Sequence, residues 1–309
     1  MRFAVLVLML ASPAVAGDLA FVTSQNAETV TILDTVSGSV LAQVAVPGKP
    51  APVAYDPAAG RAYVIAADTG RLFVLDETGA VTDSRDLGEG AFGLAATAQD
   101  GLFVTDWFGA RLLRLDRDLN EIWQTPTGAA PAGVAVSDDG RWVATADRDD
   151  DRVSIFDAQT GVLLHRVGTA GAHPFGITFH DERFWTADVQ GDSVSVIDPA
   201  AGRLAGSIPT GSHPYAVAFA GGRGFVTNQY AGTLTVFDPA TLDAVAEIPV
   251  GDYPEGISPL PGGDAVAVAN WESDTLVIVD AESLAVRSEF PMPSGPRAFG
   301  QFTGRQESP

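Results

Sequence analysis

Residues 225–238 read FVTNQYAGTLTVFD, and residues 184–198 (FWTADVQGDSVSVID) and 267–280 (AVANWESDTLVIVD) are near-copies of them. Each joins a short, β-prone apolar run to a second one that ends in Asp, with a polar or glycine-containing turn between, the pattern of an antiparallel strand pair. Working outward, the second run recurs as TVTILD, RLFVLD, RLLRLD, RVSIFD, SVSVID, TLTVFD and TLVIVD, ending at Asp34, Asp76, Asp116, Asp157, Asp198, Asp238 and Asp280. The spacing stays within a residue or two of about 40, the length of one propeller blade.

Each unit parses into four strands. In the sixth, FVTN (225–228), TLTVFD (233–238) and DAVAEIPV (243–250) are followed, after Pro254, by EGISPL (255–260), which starts the next unit. The Asp closing each second run suits a tight turn, where its carboxylate accepts backbone N–H bonds. The chain enters at DLAFVTS (18–24), which corresponds to the second strand of a unit, and stops just after PRAFGQF (296–302), which corresponds to a first strand. The tail is therefore expected to supply the innermost strand of the blade that the head begins, since an incomplete blade leaves a sheet edge unpaired. The predicted fold is all-β: a seven-bladed propeller of four-stranded antiparallel blades over 17–304, with a disordered tail at 305–309. Composition agrees, because 33 Gly and 20 Pro suit many short elements. No stretch keeps apolar residues at helical spacing for three turns.

Several function classes are excluded or demoted. With no cysteine, disulfides, Cys-ligated zinc, Cys-held iron–sulfur clusters, covalently attached haem and thiol catalysis are ruled out. Residues 1–16, MRFAVLVLMLASPAVA, have the Arg2, apolar run and A-x-A ending of a secretory signal peptide cut after Ala16. The run is too short for the roughly 20 residues of a membrane anchor, so a periplasmic, unanchored protein is expected, with a monomer as the default. The formal charge of −21 repels phosphate backbones and anionic headgroups and favours a basic partner. No GxSxG elbow, HExxH, P-loop or strand–helix GxGxxG is present.

The (F/V)-x-(T/A)-(N/D) strand, the x-V-x-V-(I/F)-D strand and the G-x-x-P-x-G-(I/V) lead-in resemble the YVTN family of β-propeller repeats. VGDYPEGI (250–257), ANWESD (269–274) and GPRAFGQF (295–302) are similar to its secreted YncE-like members, over essentially all of 18–303. That resemblance implies the propeller fold but no reaction. Related seven-bladed folds include lactonases, lyases, the haem-d1 domain of nitrite reductases and the heavy subunits of periplasmic amine dehydrogenases, while most YVTN-type proteins have no assigned chemistry.

In this topology the loop leading into a first strand and the loop between the second and third strands share one face, where site chemistry is expected. Two rings of residues belong to it. One lies at the end of the second strand: Ser24, Asp68, Asp106, Asp147, Asp188, Asn228 and Asn270. These side chains either tie down their own loops or, if they converge, offer oxygen ligands to a divalent cation. The other is the residue after the Pro-type position of the lead-in: Ala51, Phe92, Ala132, Phe175, Tyr215, Glu255 and Arg297, expected around the channel mouth. It predicts an apolar side at Phe92, Phe175 and Tyr215. Glu255 and Arg297 read first as an ion pair bracing the closure and second as ligand contacts.

His173 and His213, each before a proline in neighbouring blades, are candidates for a metal, a haem iron or general-base chemistry. One place further along the loops come Trp107, Arg148, Gln229 and Trp271, of which tryptophans on a loop face point to binding. RDDDR (148–152) reads as a solvated loop tip with internal charge pairs. The leading expectation is a non-enzymatic periplasmic binding or assembly propeller that uses this face for a protein or small ligand, accessory to a quinoprotein dehydrogenase or cytochrome pathway. The alternatives are a divalent-cation-dependent lactonase or lyase at the channel mouth, and haem-d1-like cofactor binding.

Overall fold

The computed structural model describes residues 17–97 and 101–306; the expected signal peptide lies outside them. Seven four-stranded antiparallel sheets follow one another around a ring, so the fold is an all-β seven-bladed propeller. Blade 1 combines 18–45 with the C-terminal segment, and blades 2 to 7 span 50–86, 91–126, 131–168, 174–209, 214–249 and 254–291. In each later blade the first strand is innermost and the fourth outermost. The layers follow the residues. Second strands such as Arg183–Asp188 (RFWTAD) are almost wholly buried between neighbouring blades, whereas outer strands such as Val286–Pro291 alternate exposed and half-buried positions. That alternation is the period-2 pattern of a sheet with one wet side.

All seven turn aspartates act as read. Asp34, Asp76, Asp116, Asp157, Asp198, Asp238 and Asp280 each accept at least one backbone N–H from the turn that follows. Every first strand of blades 2 to 7 breaks register just after its opening residue, as between Pro174/Ile177 and Pro214/Val217. The bulge re-aims the residue after proline toward the axis, as bulges do. The next position then lies against the following blade's backbone. A Cβ on Gly176 would meet the Tyr215 carbonyl oxygen at 2.4 Å, and one on Gly133 the Phe175 carbonyl oxygen at 2.5 Å. The P-x-G lead-in is thus a packing signature. Where threonine precedes the end of the second strand it joins blades: Thr23, Thr105 and Thr227 donate to the carbonyls of Ala51, Ala132 and Glu255 in the next blade.

Ring closure differs in detail from the expectation. Residues 296–302 do not run along 19–24 as one regular strand. Ser24 bridges Pro296, Arg297 N–H donates to the Thr23 carbonyl, and Phe21 N–H donates to the Phe302 carbonyl. Between these points the chain swings across to blade 2: Phe299 N–H donates to Ala51, while Val53 and Tyr55 N–H donate to Phe299 and Gln301. The regular part of the strand is Thr303–Arg305, paired with Asp18–Ala20, so it extends one residue into the segment read as a tail. One segment therefore stitches two blades.

Candidate binding site at the channel mouth

The two predicted rings separate once their side chains are placed. The ring at the second-strand ends turns into its own blades. Asp188 accepts hydrogen bonds from Gly171 N–H and from the Ser193 and Ser195 hydroxyls. Asp147 is held by Gly128 N–H, Thr145, Ser154 and Arg152. Asp106 takes Gly109 N–H and the Arg111 guanidinium. The amides do the same work without charge: Asn228 donates to Thr233 and Thr235, and Asn270 to the Val250 carbonyl and Thr275. Burial pushes the Asp147 carboxyl above its ordinary range and that of Asp188 up to about 6. Asp68 does not belong to the ring. It is exposed, two residues past the strand, and the position paired with Pro50 is Ala66. Among the described residues, no three His, Asp or Glu side chains gather to hold a metal ion.

The ring in the bulges does surround the channel mouth, and its aromatic members close the channel. The Phe175 ring lies 4.4 Å from Tyr215 and 5.7 Å from Phe92, and Trp107 stands edge-on to Phe92 at 5.7 Å. Beneath them Phe299 touches Phe92, Phe175 and Tyr215. What remains above is a cup of about 300 Å³ lined by Phe92, Trp107, Phe108, Phe175, Tyr215 and Arg297. Phe108 at its rim is 75% exposed, an apolar ring that the fold itself leaves wet. The Arg148 guanidinium sits 5.6 Å from the centre of the Trp107 ring.

Arg297 and Glu255 form the predicted ion pair, reaching from blade 1 to blade 7 across the closure. The guanidinium also donates to the Tyr215 hydroxyl at 2.8 Å and to Gln25 at 3.1 Å, while Gln229 donates to Glu255 at 2.6 Å. Burial, with the Glu255 charge adding to it, pushes the Tyr215 phenol up, so it stays neutral. The cup therefore has aromatic walls and one polar corner whose charge is already balanced.

The remaining candidates lie outside the cup. His213 stacks on Tyr230 at 3.9 Å and its Nδ1 shares a hydrogen bond with Ser212. His173 Nδ1 is buried with no partner among the described residues. Trp271 stands beside Tyr253, centroids 6.2 Å apart. RDDDR is an internally paired tip as read, through Arg148–Asp149 and Arg152–Asp150. Sequence reasoning missed Phe299, Phe108 and Gln25. Phe299 had a signal: the third position after the proline is aliphatic in the other blades (Val53, Leu94, Val134, Ile177, Val217, Ile257) and aromatic only there.

Fold and cup together define a seven-bladed β-propeller whose channel mouth is closed by aromatic side chains beneath a shallow cup on the loop face. No protein-family model matches the chain, and no curated protein matches it in sequence. Solved structures do resemble it. A functionally unknown protein from Desulfotomaculum acetoxidans superposes with a TM-score of 0.80 at 15% identity, covering 93% of this chain and 98% of that one. Hydrazine synthase from Kuenenia stuttgartiensis gives 0.72 at 17% identity, over 82% and 89%. The dihydro-heme d1 dehydrogenase NirN, in complex with DHE, gives 0.66 at 16% identity, over 93% and 76%. At these identities the likeness is one of fold.

Proposed function

We propose that the protein is a non-enzymatic binding propeller that seats a small planar, apolar group in the aromatic cup at its channel mouth. The observation that carries this reading is the cup itself: Phe92, Trp107, Phe108, Phe175 and Tyr215 around about 300 Å³, with Phe108 left in water. Concave sites with apolar walls and few polar groups are the usual form of a small-ligand site. Arg297 and the neutral Tyr215 hydroxyl supply one orienting corner. A periplasmic location is proposed from residues 1–16, and an accessory role in a quinoprotein or cytochrome pathway from the YVTN-like repeats; a planar quinone or a partner's aromatic side chain suits the cup in either setting. The cup is favoured over the divalent-cation alternative because Asp106, Asp147, Asp188 and Asn228 face their own blades and Glu255 is tied to Arg297.

Thermal-shift and tryptophan-fluorescence titration with naphthoquinone, indole and haem tests the reading. At least one probe is expected to raise the melting temperature and quench Trp107; the exposed-rim variant Phe108→Ala is expected to abolish both effects without lowering the ligand-free melting point, and Trp107→Ala to abolish the melting-temperature gain measured from that variant's own ligand-free value. No response to any probe, or a response unchanged in both variants, removes it. A Soret band on adding haem that survives these variants but is lost in His173→Ala would move the function to the haem alternative.

A further inference from the structure

We propose that the outer part of the same face, over blades 6 and 7, docks a cationic segment of a partner protein. Four aromatic side chains form a row there. His213 stacks on Tyr230 at 3.9 Å, Tyr230 meets Tyr253 at 5.5 Å, and Tyr253 meets Trp271 at 6.2 Å. Tyr230 is 59% exposed and Tyr253 38% exposed, so large ring surfaces stand in water. The Trp271 Nε1–H has no acceptor among the described residues.

A turn common to all blades places two of these rings. His213 and Tyr253 occupy the position before the lead-in proline with φ of 56° and 53°, a left-handed conformation that disfavours bulky side chains. The same position has a positive φ in every blade and is filled by Lys49, Gly90, Ala130, His173 and Gly295 in the other five. The left-handed turn therefore belongs to the repeat, and in blades 6 and 7 it presents His213 and Tyr253 on the loop face where small residues also fit.

Charge names the occupant. The six loops of this sector, at 189–192, 210–213, 229–232, 250–253, 271–274 and 292–295, contain Asp192, Asp252, Glu272 and Asp274 and no Lys or Arg. Asp192, Asp252 and Glu272 are exposed and make no salt bridge among the described residues. Aromatic faces attract Lys and Arg through the ring quadrupole, and a surrounding carboxylate fringe strengthens that selection. An anionic or neutral partner would leave the carboxylates opposed or desolvated without a counter-charge. The proposal extends the loop-face reading to a protein partner but does not depend on the cup, whose lining shares none of these residues.

A short peptide of alternating lysine and glycine, titrated calorimetrically into the mature protein at low salt, is the probe. Binding is expected to weaken with added salt. The pair Tyr230→Ala and Tyr253→Ala is expected to weaken it roughly tenfold, while Tyr230→Phe and Tyr253→Phe keep it within about twofold. Asp192→Asn, Asp252→Asn and Glu272→Gln together are expected to lower affinity and flatten the salt dependence. Asp138→Asn, Asp139→Asn and Asp181→Asn, on the opposite face, serve as the control and leave it unchanged. The idea is overturned if the wild-type protein does not bind, if the alanine pair binds as tightly as wild type, or if the opposite-face control weakens binding equally. Trp107→Ala should retain peptide binding, which keeps failure of the cup distinguishable from failure of this surface.

Discussion

The two rings of the loop face start from the same repeat and end with opposite roles. Asp147 and Asp188 close a regular antiparallel register, so their side chains stay within the blade and satisfy the loop above them. Phe175 and Tyr215 sit one residue past the paired proline, inside a bulge, and so reach the channel axis. A single inserted residue per blade separates the staples that hold the loops from the side chains that can meet a ligand. Blades 5 and 6 sharpen the contrast. Asp188 and Asn228 hold equivalent positions with equivalent hydroxyl partners, one charged and one neutral, so charge is not what that ring is for.

The largest effect is expected where both rings depend on closure. Deleting 296–306 strips the innermost strand of blade 1 and its bonds to blade 2; circular dichroism on heating should show no cooperative melt. A cooperative melt like that of the intact chain would mean that the ring does not need this joint.

Next come the axis residues. Glu255→Ala leaves the Arg297 charge without its partner and is expected to cost about 3 kcal/mol, measured by urea unfolding. Phe299→Ala should cost a similar amount, about 3 kcal/mol. It should also open the cup toward the second cavity of about 380 Å³ on the far side of the plug, which Phe299 lines. If either change were nearly neutral, the plug would be ordinary packing that relaxes.

The staple ring gives a pH signature. Burial raises the Asp188 carboxyl from 3.8 to about 6, so the folded state holds a proton through a window where the unfolded chain has lost it. The associated stability is present below the unfolded value and is lost as pH rises through about 6, a change of about 3 kcal/mol. Asp188→Asn, copying Asn228, should flatten the decline of stability between about pH 4 and 6 by that amount in urea titrations. An unchanged slope would assign the decline to other groups. The smallest effect is Tyr215→Phe, which removes one partner of Arg297 and should cost about 1 kcal/mol while leaving the cup's aromatic wall in place.

Much of this was legible in the residues. The recurrence of the turn aspartates gave the blade count, and the half-units at the two ends gave the joint. The rim ring at Phe92, Phe175, Tyr215, Glu255 and Arg297 followed from position in the unit, and the opposite charges of Glu255 and Arg297 pointed to their pairing. Asp68 shows where reading failed: an Asp near the right place stood in for Ala66, because sequence spacing cannot register a loop residue against its partner strand. Phe299 shows another limit, since the swing of 299–301 onto blade 2 has no counterpart in the other repeats.

By itself the sequence determined the number of blades, the four strands of each and the side chains on the loop face. These are properties of period and alternation, which local chain geometry sets. Only the tertiary structure decided which of those side chains face the axis and which face their own blade, that the aromatics shut the channel, and that His213, Tyr230, Tyr253 and Trp271 line up across two blades. Those outcomes rest on bulges, on backbone contact between neighbouring sheets and on closing the ring, none of which exists until distant segments meet.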